Sequence, residues 1–433
     1  MTIVDDAQTP PPPRAVGFDW TLLRQRWAVV IMLACAGLTG PVGYAGQLGY
    51  SALIAIAGIA ALPMLGVKRQ PMWEVLILLA LVSWCCISMG WSIAAPVHVD
   101  FHKYKQVEGV TALKLVLEVG LYGAFASLMR ELPARWAGRI MATLAVGLIL
   151  AAALMALDAL SREAIYRSLR LGAHAKTFAD PELDRRNAAR GLYTVALLFW
   201  PVALWMRRSG WLVPLIAFVM ASLVAAIGLK VDAPIVAVAI GGIVLFAVRR
   251  FGRPVIWTML ILTVAYFALA PSFFDLFGAY LPSMHGNDGV AKASWGARVD
   301  IWRFAAGKVT ERPWLGWGMD ASRMFDPIPL HPHNAAIQIW LELGVVGAAL
   351  AALFWAYLWA RIGGLAEESR PNGGVAASVA VAYLVIGGLS FGVWQEWWLA
   401  LGVLAAVVCW VFGLVFRDWT PESKELEELT PLG

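Results

Sequence analysis

HPHNAAIQIWLELGVVGAALAALFWAYLWA, residues 331–360, is a polar head followed by an apolar run. The run from 334 to 360 exceeds the roughly 20 residues a helix needs to cross hydrocarbon, so it reads as a membrane span. Pro332 and the onset of the run place His333 and Asn334 at the helix N-terminus, where asparagine is a good cap. Gln338 and Glu342 follow at steps of four and form one polar stripe with Asn334. A carboxylate inside a span is costly and faces a cavity or a partner. Two readings stay open: the stripe lines a polar site, or Glu342 pairs with a neighbouring helix and His333-Asn334 only cap. A helix N-terminus beside histidine and arginine also favours an anion.

The same apolar signal recurs along the 433 residues. About twelve spans are expected, near 27–46, 49–66, 73–95, 110–129, 139–159, 191–206, 211–229, 233–248, 254–271, 334–360, 375–394 and 398–416. The chain is 60% hydrophobic and 15% charged, with mean hydropathy +0.69. That composition fits an all-α polytopic membrane protein and excludes an ordinary soluble domain. Net charge is +5. In a membrane protein such an excess is a topology signal and gives no reason to expect nucleic acid.

Arginines fix the orientation. Arg24 and Arg26 precede span one, and Lys68-Arg69, Arg130-Arg135-Arg139, Arg207-Arg208, Arg249-Arg250-Arg253, Arg361-Arg370 and Arg417 mark every second connection. Those connections are cytoplasmic, with both termini inside. The expected organisation is a tail at 1–26, spans one to nine over 27–271 with outer loops near 96–109 and 160–190, a large outer loop at 272–333, spans ten to twelve over 334–416, and a tail at 417–433. The N-terminal segment carries Asp5, Asp6 and Pro10 to Pro13 ahead of Arg14 and reads as a short disordered tail rather than a cleavable signal.

All six histidines, His98, His102, His174, His285, His331 and His333, fall in the outer loops. Exclusion of histidine from apolar spans explains that as well as function does. Ser294 to Val309 alternates Trp295, Val299, Trp302 and Phe304 with Arg298, Asp300, Arg303 and Lys308, a pattern suited to an amphipathic surface helix. The Trp394, Trp397, Trp398 group suits an aromatic interface belt, with a sugar-binding surface as the alternative. Asp184-Arg185-Arg186-Asn187 and Arg190 precede span six on the outer side, against the positive-inside pattern. Guanidinium forks suit phosphate oxygens; local pairing with Asp180, Glu182 and Asp184 is the bland alternative. Lys114 and Glu118 are spaced to pair on one helix face. Cys35, Cys85, Cys86 and Cys409 lie in apolar runs, where they are buried hydrophobes rather than disulfides or zinc ligands. A metal held by His331 and His333 is disfavoured, because the two are two residues apart with no adjacent acidic ligand.

Arg298 with Trp302, Pro313 with Gly316-x-Gly318, and His333-Asn334 followed by Glu342-x-Gly344 and Gly347 resemble the signature of the O-antigen ligase and polymerase superfamily. The resemblance is strong in the C-terminal third. It implies a C-type glycosyltransferase-like fold of about twelve spans with a large helical periplasmic loop between spans nine and ten. It implies a bacterial inner-membrane enzyme with a periplasmic site and no cofactor or metal. The donor would be undecaprenyl diphosphate-linked O-antigen and the acceptor lipid A–core oligosaccharide, both met among membrane lipids.

On this resemblance the catalytic set is His333, Arg298 and an arginine before span six, with Arg186 first and Arg190 second. Arg185, Arg190, Asn334, Trp302, Gln338 and Glu342 are the expected substrate-binding residues. His333 serves either as base toward the acceptor hydroxyl or as a cation toward diphosphate. Alternatives within the superfamily are an O-antigen polymerase and a protein O-oligosaccharyltransferase. A transporter or lipid flippase shares the twelve-span plan, but no internal repeat is evident and the polar residues gather at one face.

Overall fold

The computed structural model describes residues 19–66, 73–95, 111–173, 181–280 and 290–416. Residues 1–18 and 417–433 of the two tails, Lys68, Arg69, His98, His102, Lys103, Lys105, His174 and His285 lie outside the described residues. All regular structure described is helical: α1 Trp20–Ala45, α2 Gly49–Ala61, α3 Trp73–Ser88, α4 Thr111–Met129, α5 Ala134–Ser161, α6 Ala164–Ala173, α7 Pro181–Ala189, α8 Gly191–Arg208, α9 Leu212–Gly228, α10 Asp232–Phe251, α11 Arg253–Tyr280, α12 Val290–Glu311, α13 Ala335–Glu368, α14 Arg370–Leu389 and α15 Glu396–Val415.

Each expected span coincides with a helix. Among the described residues nine are long and apolar enough to cross a membrane, while α2, α3 and α9 are apolar but shorter. Large apolar side chains face outward along these helices, with Val213 78% and Ile243 67% exposed. Such a surface is stable only against lipid. The chain is a multi-pass membrane protein.

The helices pack as three connected cores. One joins α1, α2, α4, α5, α8, α9 and α15. A second gathers α3, α11, α12 and the first half of α13. The third lies where the second half of α13 meets α10, α11 and α14. The expected loop at 160–190 contains two short helices. Asp158, fully buried at the end of α5, caps α6 by accepting the Ile165 and Tyr166 N–H groups, each at 3.0 Å, and takes the Tyr44 hydroxyl at 2.6 Å. Arg167 on α6 then holds buried Asp184 on α7 at 3.3 Å.

Span ten is not one straight helix. Gly344 interrupts α13 with φ +64°. The break strips carbonyls of their helical donors, and in hydrocarbon an unpaired carbonyl costs several kcal/mol. Other groups take them. Trp317 N–H donates to Leu341 O at 2.9 Å, Gly318 N–H to Glu342 O at 2.8 Å, and Trp84 Nε1 to Leu343 O at 3.0 Å. Val345 N–H donates back to Pro313 O at 2.9 Å. This is the structural content of the Gly316-x-Gly318 and Glu342-x-Gly344 elements. A Cβ on Gly344 would stand 2.3 Å from Trp314 O, and one on Gly316 2.5 Å from the Glu342 carbonyl. Both glycines also have positive φ, so no side chain is tolerated.

The sequence readings need four adjustments. The helix around Ser294–Val309 exists as α12, but Trp302 is buried, donating to Pro332 O at 2.7 Å and packing on Phe274, rather than facing lipid. Trp397 and Trp398 are buried against Phe391, and the Trp394 N–H is given to Glu342, so this group is core rather than belt. Lys114, expected to pair on its own helix face, also reaches Glu396 of α15 at 2.9 Å. Span one begins seven residues earlier than expected, at Trp20, because Asp19 caps the helix there through Thr21 and Leu22 N–H.

Gly344→Ala is expected to destabilise the protein by about 2 kcal/mol or more, combining a forced left-handed alanine with a backbone collision. Thermal unfolding of the purified protein in detergent measures this, and Gly364→Ala, where a Cβ meets nothing within 4 Å, is the matched control.

Candidate functional site

The polar residues converge where α13 begins. Asn334 caps α13 as expected, its Oδ1 accepting Ile337 N–H at 3.1 Å. The same oxygen takes the Tyr266 hydroxyl at 2.9 Å, and Nδ2 donates to Gly388 O at 2.9 Å. Asn334 therefore ties α11, α13 and α14 together.

His333 precedes it with φ +57°, a strained backbone for a non-glycine residue. Its neighbour supports that strain: His333 N–H donates to His331 Nδ1 at 3.2 Å, and the two rings stand 4.3 Å apart. Because His331 Nδ1 accepts, its proton sits on Nε2. That nitrogen lies 3.0 Å from the Gln395 amide, which must present its oxygen there. This orientation also supplies the donor that Gln395 Oε1 otherwise lacks. Burial pushes the His331 ring down to about 3, with the His333, Arg323 and Arg298 charges acting the same way. His331 is a neutral prop.

His333 is poised differently. Its Nδ1 lies 2.8 Å from Ser390 O. A carbonyl only accepts, so Nδ1 carries the proton and the neutral ring keeps a basic Nε2. Burial lowers its pKa from the ordinary value; the bond to Ser390 O opposes that and the Arg298 charge reinforces it. Arg298, on α12, is brought within electrostatic range of both histidines. Burial also lowers the Arg298 guanidinium, while Tyr193 and Asp232 oppose the shift, and it remains a cation.

Of the arginines before α8, Arg190 is exposed at the start of that helix, Arg186 is exposed on α7 and Arg185 is half-buried there. Arg190 and Arg298 share electrostatic range of the Tyr193 hydroxyl, which lies 3.5 Å from Ser390 Oγ. Tyr193 thus meets the Ser390 segment that holds His333 and lies within electrostatic range of both arginines. Asp184 is engaged by Arg167.

The stripe continues into the protein rather than toward a ligand. Glu342 is fully buried. Its Oε1 accepts Ser322 Oγ–H at 2.6 Å and Gln338 Nε2 at 3.1 Å; its Oε2 accepts Trp394 Nε1 at 2.6 Å and Asp320 N–H at 3.1 Å. Gln338 Oε1 takes Val393 N–H at 3.0 Å. Both residues spend their polar atoms on each other and on neighbouring segments.

An apolar cavity of about 660 Å³ lies directly beneath this cluster, walled by α10, α11, α13 and α14 and roofed by α12. Trp302, Asn334 and Gly388 line its end at the cluster, and Trp359 lies deep within it. It descends from the residues beside Arg298 into the membrane-spanning body.

Residues 215–352, from α9 into α13 and including Arg298, His333 and Glu342, match the family described as O-antigen ligase. Over that stretch, about a third of the chain, the protein is similar to this family. A Rickettsia conorii protein named "Putative polysaccharide ligase" is 30% identical over 190 residues, 39% of this chain and 44% of that one. Polysaccharide-ligase relatives from Rickettsia felis and Rickettsia bellii are 34% and 35% identical over 127 residues, 26% of this chain and 30% of theirs in both cases. The chain thus spans less than half the length of the relatives it matches.

Sequence reading missed Tyr193, Asp232, Ser390 and Gln395. Asp232 stands in the first turn of α10, and an acidic residue opening an apolar helix was a readable signal. Ser390 acts through its main-chain carbonyl, which leaves no trace in residue type.

The unfolded chain protonates His331 near 6.5 and the folded chain only near 3. Between those values the unfolded state binds more protons, so stability falls as pH drops through that window. His331→Gln is expected to flatten the fall in thermal midpoint between pH 7 and 5, and unfolding scans across pH test it.

Proposed function

We propose that this protein transfers a polysaccharide from a lipid diphosphate carrier to a sugar hydroxyl of a second amphiphile at the outer membrane face. The observation that carries this reading is the His333 geometry: Nδ1 held by Ser390 O with Arg298 alongside. The names of the relatives support it. The donor in this reading is undecaprenyl diphosphate-linked O-antigen, and the acceptor is lipid A–core oligosaccharide. All twelve apolar helices cross the bacterial inner membrane, both termini are cytoplasmic by the arginine pattern, and the His333 end is periplasmic.

Each part then has a task. The acceptor hydroxyl oxygen attacks the anomeric carbon, and its proton passes to His333 Nε2. The bond from that carbon to the diphosphate oxygen breaks, and its electron pair leaves on the diphosphate. Arg298 and Arg190, both within electrostatic range of the Tyr193 hydroxyl, neutralise the charge that grows there. Arg190 replaces Arg186 as the preferred second arginine because of its position relative to Tyr193. The isoprenoid tail occupies the apolar cavity below Arg298. One displacement inverts the anomeric centre and needs no metal. Gln338 and Glu342 serve as scaffold rather than substrate ligands, and Asn334 and Trp302 shape the cavity mouth.

Transfer by purified protein, with lipid diphosphate glycan as donor and either lipid A–core or a second donor lipid as acceptor, tests the reading. Product on lipid A–core supports a ligase; product only on the second donor identifies a polymerase. His333→Ala and Arg298→Ala are each expected to lower turnover about 100-fold or more, and Arg190→Ala to lower it more than Arg186→Ala.

The pH profile separates the two roles of His333. With its pKa held below the ordinary value, a base predicts constant activity at and above neutral pH and loss only at pH below the ordinary histidine range. A cationic ligand predicts the reverse trend.

A further inference from the structure

A second cavity, about 1240 Å³, lies on the other side of the α13–α14 pair, among α3, α4 and α15. It runs the length of the bundle. Ala335, Gly392 and Trp394 line its end beside the histidines, and Phe354, Tyr383 and Trp398 line its middle. Glu118 on α4 also faces it, in the half nearer the histidines. The opposite end is polar: Arg130, Arg361, Glu368, Ser369 and Asn372 form its rim. A third arginine, Arg208, stacks 4.4 Å above the ring of Phe416, which lines that same end. The rim therefore has two arginines against one carboxylate, with a third cation behind it.

The donor cavity reaches the cluster from beneath Arg298; this one is bounded at that level by Gly392 and Val393. No step of the transfer chemistry uses it. Its shape is that of a slot for acyl chains, and its charge is at the end opposite the His333 site. Basic pockets between helices on the cytoplasmic side select anionic headgroups.

We propose that this cavity binds one anionic phospholipid from the cytoplasmic leaflet, its phosphate between Arg130 and Arg361 and its acyl chains extending between α4, α13 and α15 toward Gly392. The assignment of leaflet rests on the topology given above; the binding itself does not depend on glycan transfer. The chain ends would meet the segment that carries Ser390. A Cβ on Gly392 would stand only 2.8 Å from the His331 ring, so the cavity's inner wall is also the wall behind the histidine prop.

Native mass spectrometry of the intact protein in detergent, titrated with phosphatidylglycerol or phosphatidylcholine of matched chains, tests this. One phosphatidylglycerol is expected to be retained at least about tenfold more strongly than phosphatidylcholine. Arg130→Gln with Arg361→Gln should remove the preference, whereas the control pair Arg249→Gln with Arg250→Gln should keep it. Millimolar inorganic phosphate should not displace the lipid. Equal retention of the two lipids, or a preference that survives loss of Arg130 and Arg361, overturns the proposal. If the double variant does not fold, the wild-type comparison decides alone. Because the readout is lipid mass, a protein inactive in transfer but selective for phosphatidylglycerol sinks the glycan reading and leaves this one standing.

Discussion

Glu342 is the point through which the site end of the molecule is assembled. A carboxylate removed from water is tolerated only where its oxygens are fully engaged. Here four donors come from three separate segments: Asp320 and Ser322 from the loop after α12, Gln338 from its own helix, and Trp394 from the turn before α15. Removing the carboxylate would leave four buried donors without an acceptor, each costing about 1–3 kcal/mol. That penalty makes the arrangement all-or-none. The loop at 313–322, the break at Gly344 and the segment around Trp394 either close on Glu342 together or do not close.

The break in α13 follows from the same constraint. Its opened carbonyls at 341 and 342 are taken by Trp317 and Gly318 N–H, in the segment that delivers Asp320 and Ser322 to Glu342. Above it, Gln338 links Glu342 to Val393 N–H, three residues from the Ser390 carbonyl that fixes His333. A buried acid two helical turns below the site thus sets the position of the turn that holds the imidazole. The left-handed His333 backbone adds strain of order 1–3 kcal/mol, and its persistence requires this over-determined surrounding.

Much of this was legible in the sequence. Among the described residues, the nine helices long and apolar enough to cross a membrane were all visible because hydrocarbon imposes a length and a composition. Asn334 was visible as a cap, and the Asn334, Gln338, Glu342 stripe as one helix face. The direction of the stripe was not. Helical spacing groups residues on a face but does not say whether that face meets a cavity or a loop, and Glu342 met a loop. The halves of the cluster lie far apart in the chain, Tyr193 in α8 and Ser390 after α14, so only packing brings them together. Trp302, Trp397 and Trp398 were misread for a related reason. An indole near a span end is equally suited to interface and core, and neighbours settle the choice. The short reach of α2, α3 and α9 was masked by apolar flanks that extend past the helices.

The electrostatic layout adds a further consequence. At the site end Arg298 acts on both histidines and Arg323 on His331, while Asp320 is itself paired with Arg323 at 3.2 Å. A base in such a field is held neutral, and an anion is attracted. Those two properties oppose each other in one residue, since a histidine that binds an anion as a cation cannot also accept a proton. The structure separates them by position. The guanidinium groups carry the charge, His331 is kept neutral by burial, and His333 has its proton fixed on the nitrogen that faces Ser390 O. A lone histidine in the same pocket would protonate on meeting an anion. With Arg298 alongside, further charge on the ring is disfavoured; in the proposed reaction the arginine would both draw the ligand in and keep the base ready for it.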